Sequence, residues 1–130
     1  MKQLSLIASL VIAVVIISGA AMFAGKRDTG LSQTANVHME GDTQIIEIDA
    51  KGGYSPKQTS AKANIPTVLR VKTDGTYDCS SAIRIPSLGY SKLMQPTGVT
   101  EITVPPQKKG TTLQGLCTMG MYNFKIGFDV

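Results

Sequence analysis

The densest chemistry in this chain is a run of five residues close to its end, Cys117-Thr118-Met119-Gly120-Met121. The other cysteine, Cys79, stands 38 positions earlier. A thiolate and thioethers are soft donors, and soft donors suit Cu(I) far better than they suit magnesium, calcium or manganese. Zinc would ask for four Cys, His or carboxylate ligands, whereas the chain has one His and two Cys. Spacing adds a condition. In an extended strand Cys117 and Met121 would lie about 13 Å apart, at ~3.3 Å per residue, too far for one ion. The segment must curl, and Gly120 is the residue that lets it do so. Cys79 must then reach the same place from elsewhere in the fold. One copper ion fits these residues; so does a pair bridged by both thiolates, with one methionine on each.

Plainer readings stand beside this one. A Cys79–Cys117 disulfide is the simple use of two cysteines in an exported domain. In the chain-entropy account, closing that loop contributes on the order of 4 kcal/mol. Methionines also fill irregular gaps in cores, although two of them bracketing a glycine beside a cysteine favour ligation. Met94, within Leu93-Met94-Gln95-Pro96, reads as packing, and His38 and Met39 read as linker residues. A Ser–His–Asp set would need His38, outside the expected domain. There is no phosphate-binding glycine loop and no carboxylate pair at a recognisable spacing, so no enzyme activity is expected.

The elements that must position these sulfurs begin after a long apolar stretch. From Leu4 to Ala24 there is no charged residue, and as a helix the stretch would span roughly 31 Å, enough for a bilayer core. A cleaved signal peptide is the competing reading, but its apolar region usually runs only about 7–15 residues. No cysteine follows the run to accept a lipid. Lys2 lies on one side and Lys26 and Arg27 on the other, so the charge rule nearly balances. The short amino-terminal tail favours an exported domain. The expectation is residues 1–24 as a membrane anchor, 25–42 as a polar tether and 43–130 as one domain on the extracytoplasmic side of the cell membrane.

Within 43–130 the chain breaks into short alternating runs. Ile46, Ile48 and Ala50 share one face, with Glu47 and Asp49 on the other. Gly52-Gly53-Tyr54-Ser55-Pro56 is a strong turn signal. Leu69 and Val71, Ile83 and Ile85, and Ile102 and Val104 repeat the alternation. The last run is the clearest: Tyr122, Phe124, Ile126, Phe128 and Val130 alternate with Asn123, Lys125, Gly127 and Asp129. No helical periodicity follows the apolar stretch. Six or seven short strands predict an all-β sandwich or barrel. The net charge of +4 is spread along the chain, with Lys108 and Lys109 in an expected turn. A nucleic-acid surface would need a denser basic stripe with aromatics, so no nucleic-acid partner is expected.

Three elements together carry a resemblance: Gly-Gly-Tyr-Ser-Pro at 52–56, an isolated Cys79 ahead of Ile83-Arg84-Ile85-Pro86-Ser87-Leu88-Gly89, and Cys117-Thr118-Met119-Gly120-Met121 before the last strand. The chain resembles the cupredoxin-like family over about residues 43–130. Within it the chain is most similar to membrane-anchored bacterial Cu(I) chaperones and to the related domains of copper-exporting P-type ATPases. The resemblance implies a Greek-key β-sandwich of about seven strands behind one N-terminal transmembrane helix. It implies Cys79, Cys117, Met119 and Met121 as copper ligands, and a copper-transporting ATPase or another copper protein as partner. Electron-transfer members use two His, a Cys and an axial Met, and residues 43–130 contain no His. The function expected is therefore holding, transfer or buffering of one or two Cu(I) ions. An electron carrier and a metal-free sandwich closed by a disulfide are the alternatives.

Overall fold

Alternation of apolar and polar side chains decides which residues of most strands face inward. The structure is a computed structural model that describes residues 35–130. The expected anchor, 1–24, lies outside the described residues, as does most of the expected tether. Among the described residues there are ten strands: β1 (Val37–Glu40), β2 (Thr43–Ala50), β3 (Tyr54–Ser55), β4 (Gln58–Ala61), β5 (Thr67–Thr73), β6 (Ala82–Ile85), β7 (Tyr90–Leu93), β8 (Gly98–Val104), β9 (Thr111–Cys117) and β10 (Asn123–Phe128). Two 3-10 turns, Cys79–Ser81 and Pro86–Leu88, flank β6. Among the described residues no helix is long and apolar enough to cross a membrane.

The strands form two five-stranded sheets. One runs β1-β2-β5-β8, with β3 added beside β2; the other runs β4-β10-β9-β6-β7. β2 pairs with β5, and β10 with β4, in parallel; the other pairs are antiparallel. Ile46, Ile48, Leu69, Val71 and Ile102 from the first sheet meet Ile83, Leu113, Phe124, Ile126 and Phe128 from the second in one core. These are the inward positions that alternation assigns.

Two differences from the sequence reading have the same cause. Ten strands replace about seven, and the sheet starts at Val37, inside the stretch expected to be tether. The added strands are short and peripheral. β1 buries only Val37, β3 has two residues, and β7 buries none of its four. Backbone pairing at a sheet edge needs no alternation, so a hydrophobic pattern does not report it. His38 and Met39 consequently lie on β1, opposite Ile45 and Gln44, rather than in a linker.

Buried polar groups fix the ends of the sandwich. Gln44 is fully buried, and its amide bonds the Lys62 carbonyl, the Thr67 hydroxyl and the Lys62 N–H. At the opposite end of β2, the Thr76 hydroxyl donates to the Ala50 carbonyl and the Thr73 hydroxyl to Gln95, at 2.8 Å in the second case. Each satisfied bond removes the penalty that a buried orphan would impose. They hold the loops around residues 74–81 and 94–97 against the end where Ala50, Thr73 and Gly98 line up in register.

Candidate metal centre

Sheet order brings the two cysteines together. β6 and β9 are neighbours, with Ile83 opposite Cys117. The ladder continues beyond the strand through the Thr118 N–H to the Ala82 carbonyl, at 3.0 Å. Cys79 opens the turn that leads into β6, so it falls beside the last residue of β9. The Cα atoms are 5.9 Å apart, and the two sulfurs are joined in a disulfide. Cys117 is fully buried, while Cys79 is half-buried against the core.

The segment after Cys117 curls, as the spacing requires. The Gly120 N–H donates to the Cys117 carbonyl at 2.9 Å, closing a four-residue turn, and Gly120 takes φ +73°. Only glycine adopts that region without strain. The Cys117 N–H donates to the Tyr122 carbonyl at 3.0 Å, and the Tyr122 N–H points back at Cys117 Sγ, at 3.5 Å. Met119 and Met121 are 77% and 66% exposed. Core filling therefore does not explain them, since buried methionine would contribute about 1.5–3 kcal/mol that these forgo. Met94, by contrast, is buried in the core, and its role is packing.

A second set of contacts holds the Cys79 turn. Asp78 caps it: the carboxylate accepts the Ser80 N–H at 2.8 Å and the Ser80 hydroxyl. Its other oxygen accepts the Gly52 N–H at 2.9 Å. The Ser80 hydroxyl bond, then the Gly52 and Ser80 backbone bonds, hold the Asp78 carboxyl below its usual range. Gly53 in turn packs on the Tyr122 ring; a Cβ there would meet the ring at 3.4 Å. The Gly52–Gly53 bend thus touches both the Cys79 turn and the Cys117 loop. Behind it, Tyr54 stacks edge-on against Phe124 with centroids 5.0 Å apart. Burial, with the Asp78 charge adding, pushes the Tyr54 hydroxyl up to about 12. Asp78 escaped the sequence reading, although Asp-Cys-Ser-Ser is a legible N-cap pattern.

Donor chemistry narrows what this end can hold. Among the described residues no three His, Cys, Asp or Glu side chains gather as a metal would need. A metal here would need donors beyond the two cysteines, and Met119 and Met121 stand exposed on the loop that follows Cys117. His38, the only histidine, pairs with Ile45 near the start of β2. The cysteine end lies at Ala50, five residues on, or about 17 Å along the strand.

The sequence matches the cupredoxin-like domain family over residues 7–126. The chain belongs to the cupredoxin-like family. Solved structures that share its fold include the following two. One is the metal-binding domain of the Cu(I)-exporting P-type ATPase CopA of Streptococcus pneumoniae D39, determined with Cu(I). It aligns with a TM-score of 0.61 at 22% identity, over 70% of this chain and 90% of that one. The other is a copper binding protein solved by NMR in its apo form, with a TM-score of 0.62 at 19% identity, over 69% of this chain and 91% of that one. No curated protein matches the chain. In this cupredoxin-like domain the strand framework accounts for the meeting of Cys79 and Cys117, and the family membership agrees with the two-sheet architecture.

Proposed function

We propose that this cupredoxin-like domain holds Cu(I) through Cys79, Cys117, Met119 and Met121, for transfer, buffering or resistance rather than catalysis. The observation that carries the reading is the juxtaposition of the paired cysteines with two exposed methionines on the loop that Cys117 begins. Exposed thioethers beside buried sulfur have no packing role, and soft donors of this kind hold Cu(I). Copper is cargo here. The disulfide must first be opened by a thiol or phosphine reductant, which supplies two electrons while two protons complete the thiols. The Tyr122 N–H already faces Cys117 Sγ, and a sulfur that becomes anionic accepts such a bond more strongly. Residues 4–24 would keep the domain at the cell membrane on the extracytoplasmic side, where a copper-transporting ATPase or another copper protein would exchange the ion.

Anaerobic titration of the reduced protein with Cu(I), against a chromophoric chelator, tests this and counts the ions. Tight uptake by the wild type that is lost in Cys117→Ser is expected; equal uptake by Cys79→Ser/Cys117→Ser would sink the reading. The disulfide itself favours one alternative, a metal-free sandwich stapled at this end. Thiols that alkylate fully in freshly isolated protein would remove that alternative. An electron carrier is not favoured, because the imidazole that helps accommodate Cu(II) sits on β1, away from the sulfurs.

A further inference from the structure

Beside the ligand loop lies a groove of about 330 Å³ whose lining includes Met121, Tyr122, Gly53, Tyr54, Lys51 and Lys57. That volume sits at the small end of the usual range for small-molecule sites, about 300–1,000 Å³. Its lining carries two ammonium groups, and the Asp78 carboxylate stands at its edge on Gly52, close enough for its charge to act on Tyr54. Lys51 and Lys57 are exposed, and neither has an ion-pair partner among the described residues. No carboxylate lines the groove. The Gly52 and Gly53 backbones, at φ +59° and +121°, carry no side chain to fill the space.

We propose that this groove receives the carboxylates of a small anionic thiol that carries Cu(I), seating its sulfur next to Met121. The inference rests on the Cu(I) reading above. Lys57, joined by Lys51, whose ammonium also lies toward Gly75, attracts the carboxylates, and the thioether that lines the same groove is the first protein sulfur the ion meets. Transfer is then ligand exchange in the reduced protein. The bond from copper to the carrier's sulfur breaks as bonds to Met121 and Cys117 form. Copper stays Cu(I), no electron moves, and the cysteine proton leaves with the released carrier thiolate.

A copper-free probe separates the groove from the metal site. S-methylglutathione is anionic, does not reduce a disulfide and has no free thiol. Titrated into the metal-free protein, it should shift the amide resonances of Gly52, Gly53 and Asn123 saturably. Lys51→Gln/Lys57→Gln should weaken that binding about tenfold, with added salt acting in the same direction. In stopped-flow transfer, the same variant should accept Cu(I) from glutathione about tenfold more slowly. Its uptake from the Cu(I)–acetonitrile cation, which has no carboxylate for the lysines to hold, should not be slowed. No saturable shift, or equal slowing with both carriers, would overturn the inference. If the wild type takes no Cu(I) from acetonitrile yet still binds S-methylglutathione, the anion site stands, while the Cu(I) reading and the carrier role both fall.

Discussion

Asp78 accepts the Gly52 N–H at 2.9 Å, so the turn carrying Cys79 is tied to a bend 26 residues earlier in the chain. The same bend reaches the opposite sulfur loop through the contact of Gly53 with Tyr122. Asp78→Ala removes the cap and the tie together. A lost N-cap costs about 0.5–2 kcal/mol, and faster amide exchange at Gly52 and Ser80 should accompany the lower Tm. The hydrogen bonds depress the folded-state pKa of Asp78. Its contribution is therefore present above the unfolded carboxyl pKa of about 3.9 and is lost as pH falls through the folded value. Unchanged exchange at Gly52 in the alanine variant would remove the tie.

Reducing Cys79–Cys117 should lower stability without unfolding the sandwich, because the core beneath is continuous. The expected loss is about 2–4 kcal/mol. Urea unfolding with and without reductant measures it, and Cys79→Ser/Cys117→Ser should lose at least as much as the reduced wild type, since serine at the buried Cys117 position adds a buried hydroxyl.

Met119→Leu and Met121→Leu should leave thermal stability within about 0.5 kcal/mol of wild type, since both side chains are largely exposed. Each should weaken Cu(I) binding in a competition titration. A double variant with wild-type affinity would show that the thioethers take no part.

Phe124 lies over Gly115 on the neighbouring strand, and a Cβ at Gly115 would run into the ring. Gly115→Ala forces that ring aside and should cost about 1–3 kcal/mol. Phe124→Leu in the same chain should recover part of the loss, since contacting residues couple. Additive losses in the double-mutant cycle would contradict the contact.

Glu40 meets Arg70 through two hydrogen bonds, at 2.8 and 2.9 Å. The Arg70 bond, and behind it His38, lowers the Glu40 pKa. Any stabilisation is thus present above the ordinary glutamate pKa and fades as pH falls through the lowered one. NMR titration should find Glu40 below the usual range, and Arg70→Ala should return it. Both groups are open to solvent, so salt should narrow the difference.

Much of the framework was legible from side-chain order alone. Burial of alternate residues from Ile46 to Ala50 and in Asn123–Phe128 follows from a period of two, which any sheet with one inward face imposes; Ile45, buried out of that phase, does not. The glycine at 120 likewise specified a bend after Cys117. Edge strands β1 and β7 were not legible, because backbone pairing there proceeds without a hydrophobic pattern. The meeting of Cys79 with Cys117 was decided only by the tertiary structure. It depends on β6 lying beside β9, a long-range pairing with no local signature. The Asp78–Gly52 tie and the exposure of both methionines belong to the same class, since each is set by which loops the sandwich gathers at one end.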